Sequence, residues 1–164
     1  MTQKILDDNE LRILFKKINS IVMIGVSASP LRASYFVARY FVLRGISVIP
    51  INPNYEGKKL WGEKVLGKIS DIDPDKRVDL IDIFRPSKEA PNIVKDTIKY
   101  LKPSGCKTIW MQIGIKNKKA AQIARDNGMN VIMDKCPKIE NQRLFGELRV
   151  AGFNTNIISS KIDL

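Results

Sequence analysis

What this chain can do chemically is bounded first by what it lacks. Its 164 residues include no histidine and only two cysteines, Cys106 and Cys136. A Ser-His-Asp triad or a Cys-His pair cannot be assembled. A histidine-ligated zinc site and a phosphohistidine intermediate are excluded, and two separated cysteines do not close a cysteine-rich metal site. Acid–base work would fall to Asp, Glu, Lys, Tyr or Cys. No constellation of these stands out, so a binding role is expected over catalysis.

The residues that remain suit anion binding. Gly25-Val26-Ser27-Ala28-Ser29-Pro30-Leu31-Arg32-Ala33-Ser34 joins an apolar run to a helical pattern, the place where phosphates sit on α/β sheets, but the G-x-G-x-x-G fingerprint is absent. Gly25 lets the backbone pass close to a ligand. Ser27, Ser34 and the helix amides can donate to phosphate oxygens, and Arg32 adds a planar cation. The same residues also suit an ordinary turn, with Ser29 or Ser34 capping the helix. Further on, Asn52-Pro53-Asn54 offers no carboxylate to hold a ribose diol, so a phosphorylated ribose is accommodated better than a plain one. The triplet is equally plain turn chemistry. Phe84 can stack on an adenine or fill the core, and Arg85 can meet an anion or solvent. Gln112 can both donate and accept, and Gly114 permits close approach. Cys136 lies between Lys135 and Lys138, which would lower its pKa if they face it. Asp71, Asp73 and Asp75 alternate like a calcium loop. Its sixth place, which needs glycine, is Lys76, so no metal site is expected.

These groups matter only if the elements bring them together. Residues 8–19 carry Leu11, Leu14, Phe15 and Ile18 at helical spacing. Continuous apolar runs at 21–26, 47–51, 80–84, 108–111 and 130–133 read as buried parallel strands, with a shorter strand near 64–66. Between them lie helices at 34–44, 88–101 and 117–127, and a short one near 140–147. Pro50 makes the second strand edge-like. Asn117 is the expected cap and Gly128 the expected stop of the third helix in that series. Strand–helix alternation predicts a doubly wound, mainly parallel α/β sheet with helices on both faces. Ligands on such sheets sit at the carboxyl ends of the strands, where all the groups above fall.

Whole-chain composition adds less. Lys and Arg total 28 against 17 Asp and Glu, a net charge of +11, which favours anionic partners. The lysines are scattered, as on a solvated surface, and no specific nucleic-acid signature accompanies them. The amino-terminal residues are polar and acidic, unlike a signal peptide, and no run approaches the roughly 20 apolar residues of a membrane span. A cytoplasmic protein with reduced thiols is expected.

Taken in order, Ile24-Gly25-Val26-Ser27, Pro30-Leu31-Arg32-Ala33-Ser34, Pro50-Ile51-Asn52-Pro53-Asn54, Phe84-Arg85, Trp110-Met111-Gln112-Ile113-Gly114 and Asp134-Lys135-Cys136-Pro137-Lys138-Ile139-Glu140 form a set. The chain resembles the small stand-alone CoA-binding proteins, which are similar to the CoA-binding domain of the succinyl-CoA synthetase α subunit. The likeness covers roughly residues 10–150. It implies a Rossmann-like fold over residues 1–164 as one domain, with residues 1–19 as a helix packed on it and 150–164 as a tail. It implies coenzyme A or an acyl-CoA as ligand, with Gly25, Ser27, Arg32 and Ser34 at the phosphates. Asn52, Pro53, Asn54, Arg85, Gln112 and Gly114 would line the rest. The family more often carries Arg where this chain has Lys135. The synthetase reaction does not carry over, because its phosphorylated histidine and partner domain are missing. An NAD(P)-dependent oxidoreductase and a nucleic-acid-binding regulator are the competing readings. A mixed disulfide between Cys136 and the CoA thiol, and a homodimer through an edge strand, stay open.

Overall fold

The computed structural model describes residues 5–146. Helix α1 (Asp8–Lys17) starts at a reciprocal cap. Asp7 Oδ1 accepts the Glu10 N–H at 2.8 Å, and Glu10 Oε2 accepts the Asp7 N–H at 3.0 Å. The chain continues through β1 (Ser20–Ile24), α2 (Ala33–Val42) and β2 (Ser47–Ile51). A short antiparallel hairpin, β3 (Lys59–Leu60) and β4 (Glu63–Lys64), comes next. Its turn residue Trp61 lies 5.0 Å from the Tyr35 ring on α2. The remaining elements are β5 (Leu80–Ile83), α3 (Ala90–Asp96), β6 (Thr108–Met111), α4 (Lys118–Asp126), β7 (Asn130–Ile132) and α5 (Pro137–Phe145).

The main sheet has the order β2-β1-β5-β6-β7, and every neighbouring pair is parallel. Alternate strand side chains enter two separate cores, which is the period-two geometry of a strand. Ile21 and Met23 pack with Leu11, Phe15, Phe41, Trp110 and Leu144 under α1, α2 and α5. Val22 and Ile24 pack with Val94, Ala120 and Ala124 under α3 and α4. The expected doubly wound α/β fold with helices on both faces is therefore present.

Pro50 shows why β2 can stay in the sheet. Ile51 O faces β1 and accepts from the Gly25 N–H at 2.8 Å, so Pro50 faces outward. There its carbonyl accepts from the Leu66 N–H at 3.0 Å and its missing donor is not required. The strand expected near 64–66 shrinks to the β3–β4 hairpin and a single parallel bridge from Leu66 to Ile51.

Three further boundaries differ from the sequence reading. The 88–101 helix begins as a 3-10 turn at Ser87–Glu89 and closes in a wide turn at Thr97–Leu101. The last helix starts at Pro137, whose fixed φ suits a first helical turn, rather than near residue 140. Neither Ser29 nor Ser34 caps α2; Arg32 holds that position and its side chain makes no capping bond. Asn117 caps α4 as expected, accepting from the Ala120 N–H at 2.9 Å, and Gly128 turns out of it at φ +73°. The tail expected over 150–164 lies outside the described residues. Among the described residues no helix is long and apolar enough to cross a membrane, and no group of acidic or cysteine side chains could hold a metal ion.

Candidate functional site

The chain leaves β1 toward β2 on one side, and β5 leads to β6 and β7 on the other. The topological switch point is thus the crevice over the carboxyl ends of β1 and β5. Gly25 and Arg85 face each other there. Gly25 stands at φ +84°, and a Cβ on it would lie 2.8 Å from Arg85 Cδ and 3.3 Å from Cγ. The glycine is required both by its backbone conformation and by the arginine lying against it. Arg85 Nε and Nη2 reach Glu89 Oε2 and Oε1 at 2.9 and 3.0 Å, a two-pronged pair. The guanidinium holds Glu89 below the usual carboxylate range, and Glu89 raises Arg85 in turn.

Two cavities meet at Arg85. The smaller, about 290 Å³, is lined by Gly25, Asn52, Asn54, Lys68 and Arg85 together with Pro53 and the carboxylates of Glu89 and Asp96. The larger, about 590 Å³, is mostly apolar and is lined by Phe36, Val37, Phe84, Gln112, Ile113 and Ile139, with Arg85 and Gly114 also on its wall. A largely apolar hollow with a few convergent polar groups is the usual form of a small-molecule site.

Several of the expected ligand contacts make hydrogen bonds within the protein. Ser34 Oγ accepts the Ser27 N–H at 2.9 Å, and Ser27 Oγ accepts the Ser29 N–H at 3.0 Å, so both hydroxyls brace their own loop. Neither serine lines either of these two cavities. Asn52 is buried; its Nδ2 donates to Val26 O at 3.0 Å and its Oδ1 accepts from the Asn54 N–H at 3.0 Å. It ties the end of β2 to the loop after β1. The Gly114 N–H is taken by Asp134 Oδ1 at 2.7 Å, while Asp134 Oδ2 meets Lys116 Nζ at 2.7 Å. Those contacts hold Asp134 below the usual range. Arg32 is exposed, pairs with no carboxylate among the described residues, and stands at the N-cap of α2 without making a side-chain cap.

The lysines around Cys136 do not activate it. Lys135 Nζ lies 3.9 Å from Glu140, and Lys138 Nζ lies 5.8 Å from the Tyr40 ring centre. Burial pushes the Cys136 thiol up, which opposes thiolate chemistry there. Cys106 is pushed up to about 12 by burial. Phe84 lines the apolar cavity rather than the polar one.

Gly25, Asn52, Pro53, Asn54, Arg85, Gln112 and Gly114 thus converge, and Arg32, Ser27 and Ser34 stand beside them. Sequence reasoning missed Phe36, Val37, Lys68, Glu89 and Asp82. Two of these carried a signal. Glu89 follows Arg85 by four residues, and Asp82 interrupts the apolar run Leu80-Ile81-Asp82-Ile83.

The comparisons with known proteins agree with this architecture. A family described as "CoA binding domain" matches residues 19–142. The uncharacterized protein YneT of Bacillus subtilis (strain 168) is 28% identical over 130 residues, 79% of this chain and 90% of its own. A Thermus thermophilus structure superposes with a TM-score of 0.79 at 28% identity, covering 85% of this chain and 100% of that one. A hypothetical protein from Pyrococcus horikoshii OT3 does so at 0.77 and 27%, covering 89% and 100%.

Proposed function

The chain belongs to the CoA-binding domain family, and on that premise we propose that it binds coenzyme A across the carboxyl ends of β2, β1, β5 and β6. The observation that carries this reading is the pair of unlike cavities meeting at one arginine. Coenzyme A has the matching form: a polar nucleotide at one end, an uncharged pantetheine arm at the other, and a pyrophosphate between. The smaller cavity suits the adenosine end. Arg85, Arg32 and the amino end of α2 supply positive charge for the phosphates. The larger apolar cavity suits the pantetheine arm, with room for a short acyl group.

A nicotinamide dinucleotide fits less well. The amide of Asn52 is already committed to Val26 and Asn54, and no carboxylate stands at the end of β2 for a ribose diol. Nucleic-acid binding has only the net charge in its favour.

Thermal unfolding with CoA, NAD, NADP and ATP in parallel tests the reading, on protein first checked by mass for carried-over CoA. A ligand at a hundredfold over its Kd stabilises by about 2.7 kcal/mol. Stabilisation by CoA alone is expected. Stabilisation by NAD or NADP alone, or by none on ligand-free protein, would sink the reading.

A further inference from the structure

A carboxyl lies on β5 where an apolar side chain would pack. Asp82 is wholly buried between its register partners Met23 of β1 and Trp110 of β6. Removing a carboxylate from water is costly unless it is paired or neutralised. No cation reaches Asp82 among the described residues. Its one hydrogen bond there comes from Gln112 Nε2, 2.9 Å from Oδ2, and Oδ1 has no partner. The group serves the sheet poorly, so its use is sought in what it touches.

Gln112 stands at the carboxyl end of β6, is itself buried, and lines the apolar cavity. Cys136 lines the same cavity. Gln112 therefore connects a sealed acid to the ligand space. A primary amide has two unlike faces, an accepting oxygen and a donating amino group. An ionised Asp82 can only accept, so Gln112 turns Nε2 to it and leaves Oε1 for the cavity. A protonated Asp82 can donate as well as accept; where it donates to Oε1, the cavity receives the amino group. Burial pushes Asp82 up to about 8, so both states lie within reach of neutral conditions.

We propose that Asp82 is a positioning residue of the larger cavity: it fixes which face of the Gln112 amide meets an amide or thioester group of the ligand. The ligand rests on the CoA reading; the coupling of Asp82 to Gln112 does not. Cys136, at the start of α5, is a buried titratable group on the same face of the sheet as Asp82. The other buried titratable groups on the helices of that face are Lys138 and Glu140 of α5 and Tyr40 of α2. The two neighbouring strands present Met23 and Trp110 to it, neither of which titrates in this range.

Nitrogen–proton spectra of the ligand-free protein test the coupling, following the Gln112 side-chain NH2 pair from about pH 6 to 9. The pair is identified by its loss in Gln112→Glu. In the wild type it should shift with pH, and in Asp82→Asn it should stay in place. CoA titrations test the consequence. Asp82→Leu and Gln112→Leu should each weaken binding about tenfold, and the double variant should be no weaker than either alone. Asp82→Asn should recover most of what Asp82→Leu loses. A Gln112 pair indifferent to pH, or one that titrates equally in Asp82→Asn, overturns the proposal. Full CoA affinity in folded Asp82→Leu overturns it too. A wild type that binds no CoA defeats the CoA reading instead, and the amide titration then decides the positioning role alone.

Discussion

Arg85 is the residue at which the two cavities meet, and its setting is built from both directions. Gly25 makes room for its stem, and Glu89 grips its guanidinium at 2.9 and 3.0 Å. If Arg85 and Arg32 meet the phosphates, replacing either by Ala should weaken CoA binding by about 1.5–3 kcal/mol, the worth of a hydrogen bond to a charged group. Calorimetric titration measures it, and an unchanged affinity removes that arginine from the site. Asp82 makes a prediction about the free protein. Its ordinary value is 3.8, raised to about 8 in the fold. Between those values the folded chain keeps a proton that the unfolded chain has lost. Stability from this group is therefore greatest in acid and falls as pH rises, by about 1.4 kcal/mol per unit. Glu89 and Asp134, held low, act in the opposite sense on the acid side. Comparing urea unfolding of the wild type and Asp82→Asn from about pH 5 to 8 cancels those groups. The wild type should lose stability over that range relative to the variant; parallel curves would contradict the assignment.

At the scale of elements, the strand-end loops are held by their own side chains before any ligand arrives. Asn52 joins β2 to the loop after β1, and Ser27 and Ser34 brace that loop. Asp134 joins the loops after β6 and β7. Asn52→Ala removes two hydrogen bonds from a buried site and leaves Val26 O without its partner. It should cost about 1–3 kcal/mol of stability and also weaken CoA, although Asn52 need not touch the ligand. Gly25→Ala forces φ +84° on an L-residue and displaces Arg85. A loss of about 1–2 kcal/mol is expected from the backbone alone, with a larger proportional loss of CoA affinity. Denaturation and titration of the same samples separate the two effects. The five main strands and the ends of α4 were legible because their signals are local: apolar runs, Asn117, Gly128. The cap of α2 was not, because Ser29 and Ser34 both suit a cap and Arg32 took the place. The loops were half legible. Asn, Ser and Gly mark a turn and an anion site equally well, and only their partners in space distinguish the two.

At the scale of the molecule, the family match begins at residue 19, yet α1 before it completes one of the two cores. Phe15 packs on Trp110 with ring centres 5.8 Å apart, and Arg143 of α5 clasps Asp8 at 2.7 and 2.8 Å. Phe15→Ala should therefore cost about 3–5 kcal/mol, as for a buried aromatic, rather than the small loss of a peripheral helix. Urea unfolding decides, and a loss below about 1 kcal/mol would show α1 to be dispensable. The exposed Asp8–Arg143 pair adds orientation more than stability.

The sequence by itself determined the alternation of strands and helices, the parallel sheet, the absence of histidine chemistry and the strand-end loops as the place to look. These follow from periodicity, composition and the handedness of crossovers, which need no knowledge of partners. Tertiary structure decided what the loop residues do. Asn52, Ser34 and Gly114 found their hydrogen bonds within the protein, Arg85 found Glu89, and Asp82 was left, among the described residues, with one bond and an empty oxygen. A side chain's type fixes the bonds it can make, but which groups come within 3 Å is set by the packing of distant segments.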